Sequence, residues 1–274
     1  MRWRAAAPLL LALPLLVAAP AAAQDTAPPK PVTVEGEVRV LSDYRARGIS
    51  RSDNQPSAQL SVLVTHNASG IYGGVLASRV AGFGGSGGAP VEMQLYAGIR
   101  RPLAQGTVDA GLTWYLYPGG GGRSDFVELT GSYANTIGPL TVTAGLAYAP
   151  RQRSLGNFAG TPASRGQRRD ALYVYTDAEF GVPGRPLSLL GHVGHARGSA
   201  GLGPNGFSLT PTGAYWDWSL GARFTRRRLS LTVLYVDTDI TRAEITPRLP
   251  AFSEGGRGPA LSGATGTVTL GWRF

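Results

Sequence analysis

The sequence predicts an all-β fold, a closed antiparallel transmembrane barrel of about twelve strands preceded by an export signal. Three observations lead to it. Apolar residues recur at every second position through most of the chain, the connections between these stretches alternate in length, and the last alternating stretch ends on a terminal Phe274.

The export signal comes first. Arg2 and Arg4 form a basic start, residues 5–19 are apolar and rich in Leu and Ala, and Ala21, Ala22 and Ala23 precede Gln24, so cleavage is expected after Ala23. The apolar stretch is short for a membrane anchor and contains Pro8 and Pro14. With no cysteine in the chain there is neither a lipid-anchor site nor a disulfide, and stability must come from a large hydrogen-bonded framework. Beyond Ala23 no apolar run approaches the ~20 residues of a spanning helix. The expected divisions are a signal peptide over 1–23, a Pro-rich disordered lead over 24–31 and a barrel over 32–274.

The period-two pattern is clearest from Val91 to Arg100. Val91, Met93, Leu95, Ala97 and Ile99 share one face, while Glu92, Gln94, Tyr96, Gly98 and Arg100 share the other. Counted along the chain, such segments lie near 32–47, 58–65, 71–80, 91–100, 107–117, 125–134, 140–149, 170–180, 187–194, 215–224, 229–238 and 263–274. Most have the ~9–11 residues that a tilted strand needs to cross a bilayer. The connections at 66–70, 101–106, 135–139, 181–186 and 225–228 are short, and those at 150–169, 195–214 and 239–262 are long. Short turns at one end and long loops at the other are the habit of outer-membrane barrels, in which both termini are periplasmic.

Aromatic placement agrees. With the first strand running outward, Trp114, Tyr148, Trp216, Trp218 and Tyr235 fall near the extracellular ends of outward-facing rows, and Tyr133, Phe180, Phe224, Trp272 and Phe274 near the periplasmic ends. Two girdles are expected where amphipathic rings meet the two interfaces. Phe274, preceded at alternate positions by Trp272, Leu270 and Val268, is similar to the C-terminal assembly signal of such barrels, which makes the barrel-assembly machinery an expected partner.

The formal charge is +9, or +7 without Arg2 and Arg4, and the only lysine is Lys30. The basic residues fall mainly in loops and turns and are not interleaved with stacking aromatics, so nucleic acid is not an expected partner. A surface facing lipid phosphates, lipopolysaccharide among them, explains the charge, and Arg226, Arg227 and Arg228 mark the membrane edge at a periplasmic turn.

Particular residues also resemble a family. The run from Ser42 through Asp43, Tyr44, Arg45, Ala46, Arg47, Gly48, Ile49, Ser50, Arg51 and Ser52 to Asp53, followed by Pro56, Ala58 and Gln59, resembles the opening motif of the TorF family of porins. The likeness returns at His66, Ser69 to Tyr72, Glu92 to Gly98, Tyr115 to Gly119, Glu128, His192 to Gly194, Asp217 to Gly221 and Tyr235 to Asp239, and departs from it at Ala46 and Leu76. It implies a single outer-membrane barrel domain and no particular solute.

Catalytic chemistry has little to stand on in the sequence. The histidines are His66, expected in a periplasmic turn, His192, inside a strand, and His195, expected at an extracellular loop; no serine carries a nucleophile motif. No carboxylate shares a ligand spacing with His192 and His195, and neither a metal nor a cofactor is expected. The glycine runs at 82–88 and 119–122 lack the lysine and following helix of a phosphate loop and read as flexible loop tips.

The polar rows carry the functional expectation. Charges facing lipid cost ~2–4 kcal/mol each at mid-membrane, so Glu35, Glu37, Arg39, Asp43, Arg45 and Arg47 on the first strand must turn inward. So must Glu92, Arg100, Asp109, Glu128, Asp177, Glu179, Asp217, Arg223 and Arg273. Pore-lining candidates are Asp43, Arg45, Arg47, Gln59, Glu92, Arg100, Asp109, Glu128, Asp217 and Arg223, with Asp43, Arg45, Arg47 and Gln59 nearest a mouth or constriction. These rows either line water, which makes the protein a passive path for small hydrophilic solutes, or pair across a narrow lumen and hold it shut, which leaves a structural or surface-interaction role for the loops.

Overall fold

The computed structural model describes residues 30–81, 88–120, 124–156, 166–199, 209–246 and 261–274. The expected signal peptide, most of the expected lead, most of the glycine run at 82–88, half of the one at 119–122 and the middles of the three long loops lie outside the described residues.

From Pro31 onward the chain winds up and down. The strands are β1 (Val32–Leu41), β2 (Arg45–Ala46), β3 (Ile49–Ser50), β4 (Ser57–His66), β5 (Ile71–Arg79), β6 (Val91–Leu103), β7 (Gly106–Leu116), β8 (Phe126–Ile137), β9 (Leu140–Gln152), β10 (Arg169–Gly181), β11 (Leu187–Gly198), β12 (Ala214–Arg226), β13 (Leu229–Thr238) and β14 (Thr265–Arg273). A single helical turn, α1 (Arg242–Ile245), lies between β13 and β14. Strands β1 and β4 to β14 pair antiparallel in sequence order, and β14 returns to β1, closing a barrel of twelve strands. β2 and β3 form a separate two-stranded hairpin.

The alternation dictates which row faces where. Val34, Val38 and Val40 on β1, Leu60 and Val64 on β4, and Leu229, Leu231 and Val233 on β13 are all exposed on the outside. Their neighbours in sequence, Glu37 and Arg39 on β1, point into the lumen and pair with each other. An outside that is apolar and an inside that is polar invert the pattern of a water-soluble fold and match a barrel bathed in hydrocarbon. Trp114, Trp216 and Tyr235 stand exposed on the outer face toward the long-loop end, and Phe180, Phe224, Trp272 and Phe274 toward the short-turn end.

Closure rests on the shortest seam. β1 and β14 share five registered positions, from Glu37 opposite Arg273 to Leu41 opposite Thr269, whereas β10 and β11 share eleven. Phe274 adds the last rung: Gly36 N–H donates to its carbonyl at 3.1 Å, and its own N–H donates to the Gly36 carbonyl at 3.0 Å. The Phe274 ring lies against Gly36, where a Cβ would come within 2.4 Å of it, and stacks on Trp272 at 5.1 Å.

One expected element ends early. The first strand was expected to run to residue 47, with Asp43, Arg45 and Arg47 along its inward row; β1 instead stops at Leu41. Ser42 makes the last bonds to β14, its N–H donating to the Val268 carbonyl at 2.8 Å and its Oγ accepting from Val268 N–H at 2.9 Å. The chain then turns into the lumen as a plug, residues 42–56, whose centre is the β2–β3 hairpin. Its two-residue turn is Arg47–Gly48, with φ of 53° and 78°. Positive φ at both positions is what a tight twisted hairpin demands, and it is incompatible with continuing an extended strand.

Among the described residues, two apolar clusters pack at the long-loop end. Ile49 of the plug, Tyr173, Tyr215, Ile240, Ile245 of α1 and Leu261 form one buried apolar cluster. Ala89, Tyr117, Phe126, Leu155 and Leu209 form a second.

Two outcomes are expected in detergent. The refolded protein should migrate differently on a gel before and after boiling, since the closed ring leaves no strand edge to fray; recovery as a detergent-free soluble protein overturns the transmembrane reading. Deleting Phe274 removes the sixth rung of the seam and should lower the yield of the heat-modifiable form several-fold, whereas wild-type yield would deny the seam that role.

Candidate functional site: the plugged lumen

The plug is fixed from within by its own short polar residues. Asp43 accepts from Ser50 Oγ at 2.6 Å and from Ser52 Oγ at 2.9 Å through one oxygen, and from Arg45 Nε at 2.7 Å through the other. Arg45 also donates to the Gly48 carbonyl at 2.9 Å and to Asn54 Oδ1 at 2.9 Å, so it ties both ends of the hairpin together. Gly48 has no room for a side chain: a Cβ would sit 2.4 Å from Thr238 Cγ2 and 2.9 Å from Asp217 Cβ on the wall.

Arg47 carries the plug across the lumen. Its guanidinium donates to both oxygens of Glu128 on β8, at 2.8 and 2.9 Å, and lies over the Tyr173 ring of β10 at 4.5 Å. Its backbone carbonyl accepts from Tyr215 of β12. The Glu128 side chain is 1% exposed, so the pair is desolvated and each charge depends on the other.

A second anchor holds the opposite edge. Glu92 on β6 is buried and accepts from the Tyr44 hydroxyl at 2.9 Å, the Tyr117 hydroxyl at 2.8 Å and Gln94 Nε2 at 2.8 Å. Burial, and after it the Glu92 carboxylate, push the Tyr44 and Tyr117 phenols well above their ordinary range, so both remain protonated donors. Gln59 completes this side of the wall, donating to Ser78 Oγ at 3.0 Å.

The remaining candidates lie below the plug and apart from one another. Arg100 and Asp109 face each other across β6 and β7, at 2.8 Å, and Tyr72 donates to the same carboxylate at 2.6 Å. Arg223 pairs with Glu179. Arg273 reaches Glu37 at 3.5 Å. Every arginine of the inward rows therefore has a carboxylate partner. Below the plug lie a cavity of ≈ 440 Å³, where Asp43, Arg45 and Arg47 meet Asp177, His192 and Asp217, and a cavity of ≈ 420 Å³ that shares Asp177 and His192 with it. A cavity of ≈ 460 Å³ at the short-turn end is lined by Glu35, Glu37, Arg39 and Arg273.

Sequence spacing missed the partners of His192. Its Nδ1 lies 2.6 Å from Asp177 Oδ1, and its Nε2 lies 2.8 Å from the Tyr173 hydroxyl and 3.1 Å from Asp217 Oδ1. Strand register is the signal that finds them: Asp177 sits directly opposite His192, and Asp217 opposite Gly194, on the flanking strands. His195, expected at a loop, lies within β11 and packs outside against Trp216 in a tilted ring contact at 4.6 Å, because β11 runs on to Gly198. The two histidines thus face opposite sides of the sheet and cannot share a ligand. His192 Nε2, the nitrogen that a hydrolase would aim at a serine, is taken by Tyr173 and Asp217, although Ser219 is its cross-strand neighbour.

The closed twelve-stranded barrel is similar in fold to solved outer-membrane proteins. One solved membrane protein, from work on in-meso crystallization, superposes with a TM-score of 0.51 at 9% identity, over 88% of this chain and 83% of that one. An outer-membrane channel from Pseudomonas putida F1 does so with a TM-score of 0.48 at 11% identity, over 90% and 96%. A porin refined at 1.8 Å gives 0.43 at 11% identity, over 89% and 100%. The chain belongs to the family described as "Bacterial protein of unknown function (Gcw_chp)", whose profile matches residues 25–257. No curated protein sequence matches it.

The Arg47–Glu128 pair yields a stability prediction with a defined sign. Glu128→Gln or Arg47→Ala leaves a buried charge unpaired and should cost on the order of 3–5 kcal/mol. Replacing both residues together, Arg47→Met with Glu128→Leu, should cost much less. The temperature at which the folded gel band is lost, measured for all three variants, checks the order; a double variant as unstable as the single ones would contradict the pairing.

Proposed function

We propose that this protein is an outer-membrane channel through which small hydrophilic solutes and ions diffuse passively, with the plug as its constriction. The observation that carries the reading is the position of Arg47, which spans the lumen to Glu128 at 2.8 Å with hydrophilic cavities continuing below it. The exposed apolar belt faces lipid, the short turns and both ends of the barrel chain face the periplasm, and the long loops face the exterior. Lipopolysaccharide surrounds the outer leaflet, and the barrel-assembly machinery inserts the chain by way of Trp272 and Phe274. The TorF-like run that starts at Ser42 supports the same reading, because it is the plug itself.

The sign of selectivity follows from the ion pairs. All six inward arginines are matched by carboxylates, Glu37 serving both Arg39 and Arg273, and Glu35, Glu92, Asp177 and Asp217 remain as acidic surplus that pairs with no arginine, Asp177 and Asp217 sharing His192 and Glu92 held by neutral donors. A lumen with that surplus favours cations, and its charges are less screened than those at the rims. In a planar bilayer the wild-type protein should give a small, weakly cation-preferring conductance. Arg47→Gln should raise the conductance roughly twofold or more and strengthen the preference. Clear anion selectivity would reject the charge argument.

The burial of the plug favours a second reading, a closed barrel that acts through its extracellular loops. Absence of current from both the wild type and Arg47→Gln, at any voltage, decides for it.

A further inference from the structure

The cavity under the plug has two unlike walls. Asp43 and Arg45 neutralise each other on one side, and Arg47 is neutralised by Glu128. On the other side Asp177 and Asp217 share a single histidine. Whether His192 carries one proton or two, this wall is net negative. Asp217 is buried, but the Asp177 side chain is 48% exposed, and it borders both the cavity under the plug and the one below it. A carboxylate at that junction meets whatever moves between the two spaces.

The same wall is aromatic. The rings of Tyr173 and Tyr175 stack at 5.7 Å, and His192 stacks against them at 6.3 and 6.2 Å. The chain itself shows what such a wall accepts, because the Arg47 guanidinium lies over Tyr173 at 4.5 Å. Tyr175, one inward step nearer to Asp177 on β10, is only half buried and lines the cavity. A ring face beside a solvent-reached carboxylate, in a space of ≈ 440 Å³, holds a planar or compact cation by ring quadrupole and charge together.

We infer that Tyr175 and Asp177, backed by His192 and Asp217, form a binding site for a small monovalent organic cation, a guanidinium or primary ammonium group, on the path through the lumen. The inference deepens the channel reading: the site is where a permeating cation pauses, and it gives the lumen a preference for organic cations over sodium. An anion of like size meets net negative charge there and is turned away.

The test uses the refolded full barrel in detergent micelles, with methylguanidinium chloride as the probe in isothermal titration against sodium chloride of equal ionic strength. Saturable binding is expected for the wild type, weakened about tenfold by Asp177→Asn and about threefold by Tyr175→Leu. Heat-modifiable gel mobility checks that each variant is folded. Failure of the wild type to bind methylguanidinium, unchanged affinity in both variants, or equal binding of propionate overturns the site. The same probe in a planar bilayer separates the two readings. A sodium current that methylguanidinium neither carries nor slows leaves the channel and removes the site. Saturable binding in micelles without any current keeps the site and removes the channel.

Discussion

A polypeptide that crosses hydrocarbon has no water to satisfy its N–H and C=O groups, and each one left bare costs several kcal/mol. In a sheet the only full answer is to give every strand two neighbours, which makes the twelve-stranded ring a single object whose weakest join limits the whole. That join is the seam of β1 and β14, with five registered positions and one further rung supplied by the terminal residue. Once the ring is closed, the two-residue period of the strand decides everything else about the wall. One row must suit lipid and the other is free to be polar, so a glutamate and an arginine two positions apart, such as Glu37 and Arg39, end on the same inner surface and pair.

The polar interior then creates its own requirement. Twelve strands enclose more space than wall side chains alone fill, and a buried carboxylate needs donors or a countercharge. The plug supplies both. Glu128 receives the Arg47 guanidinium, Glu92 receives the Tyr44 phenol beside the wall's own Tyr117 and Gln94, and Asp43 within the plug receives two hydroxyls and Arg45. Wall and plug are therefore mutually dependent: Glu128 would be an uncompensated charge without Arg47, and the hairpin would have no fixed seat without Glu128 and the space that Gly48 leaves beside Asp217.

Most of the wall was legible because period two and turn chemistry are local properties of the chain. The expected stretch at 229–238 coincides with β13, and the one at 140–149 differs from β9 only in where its loop end stops. The plug was not legible for a physical reason. From Asp43 to Arg47 the residues alternate charged with uncharged, as a half-buried strand does, and nothing before Arg47–Gly48 says that the backbone has left the sheet. The positive φ at those two residues is the local cue, but Arg-Gly is a rare spelling of a turn that favours Asn-Gly. The Asp177–His192–Asp217 group escaped for the opposite reason: its members are 15 and 25 residues apart, and only the register of three paired strands brings them into contact.

The rare spelling bears on function. A non-glycine residue held at positive φ costs on the order of 1–3 kcal/mol, and asparagine would adopt that turn more readily than arginine. Stability does not explain the arginine either, since a desolvated ion pair is commonly no better than an apolar pair of the same size. A plug meant only to seal the barrel would be served by an aliphatic residue at position 47 facing another at 128. What the guanidinium and carboxylate add is a hydrophilic contact between plug and wall across the lumen. Water and a competing ion can solvate the separated partners there, whereas an apolar seal would exclude both. On the channel reading proposed above, the cost in backbone strain and desolvation falls where a path for polar solutes has to remain polar. That position is also directly above the acidic, aromatic wall of Tyr175 and Asp177.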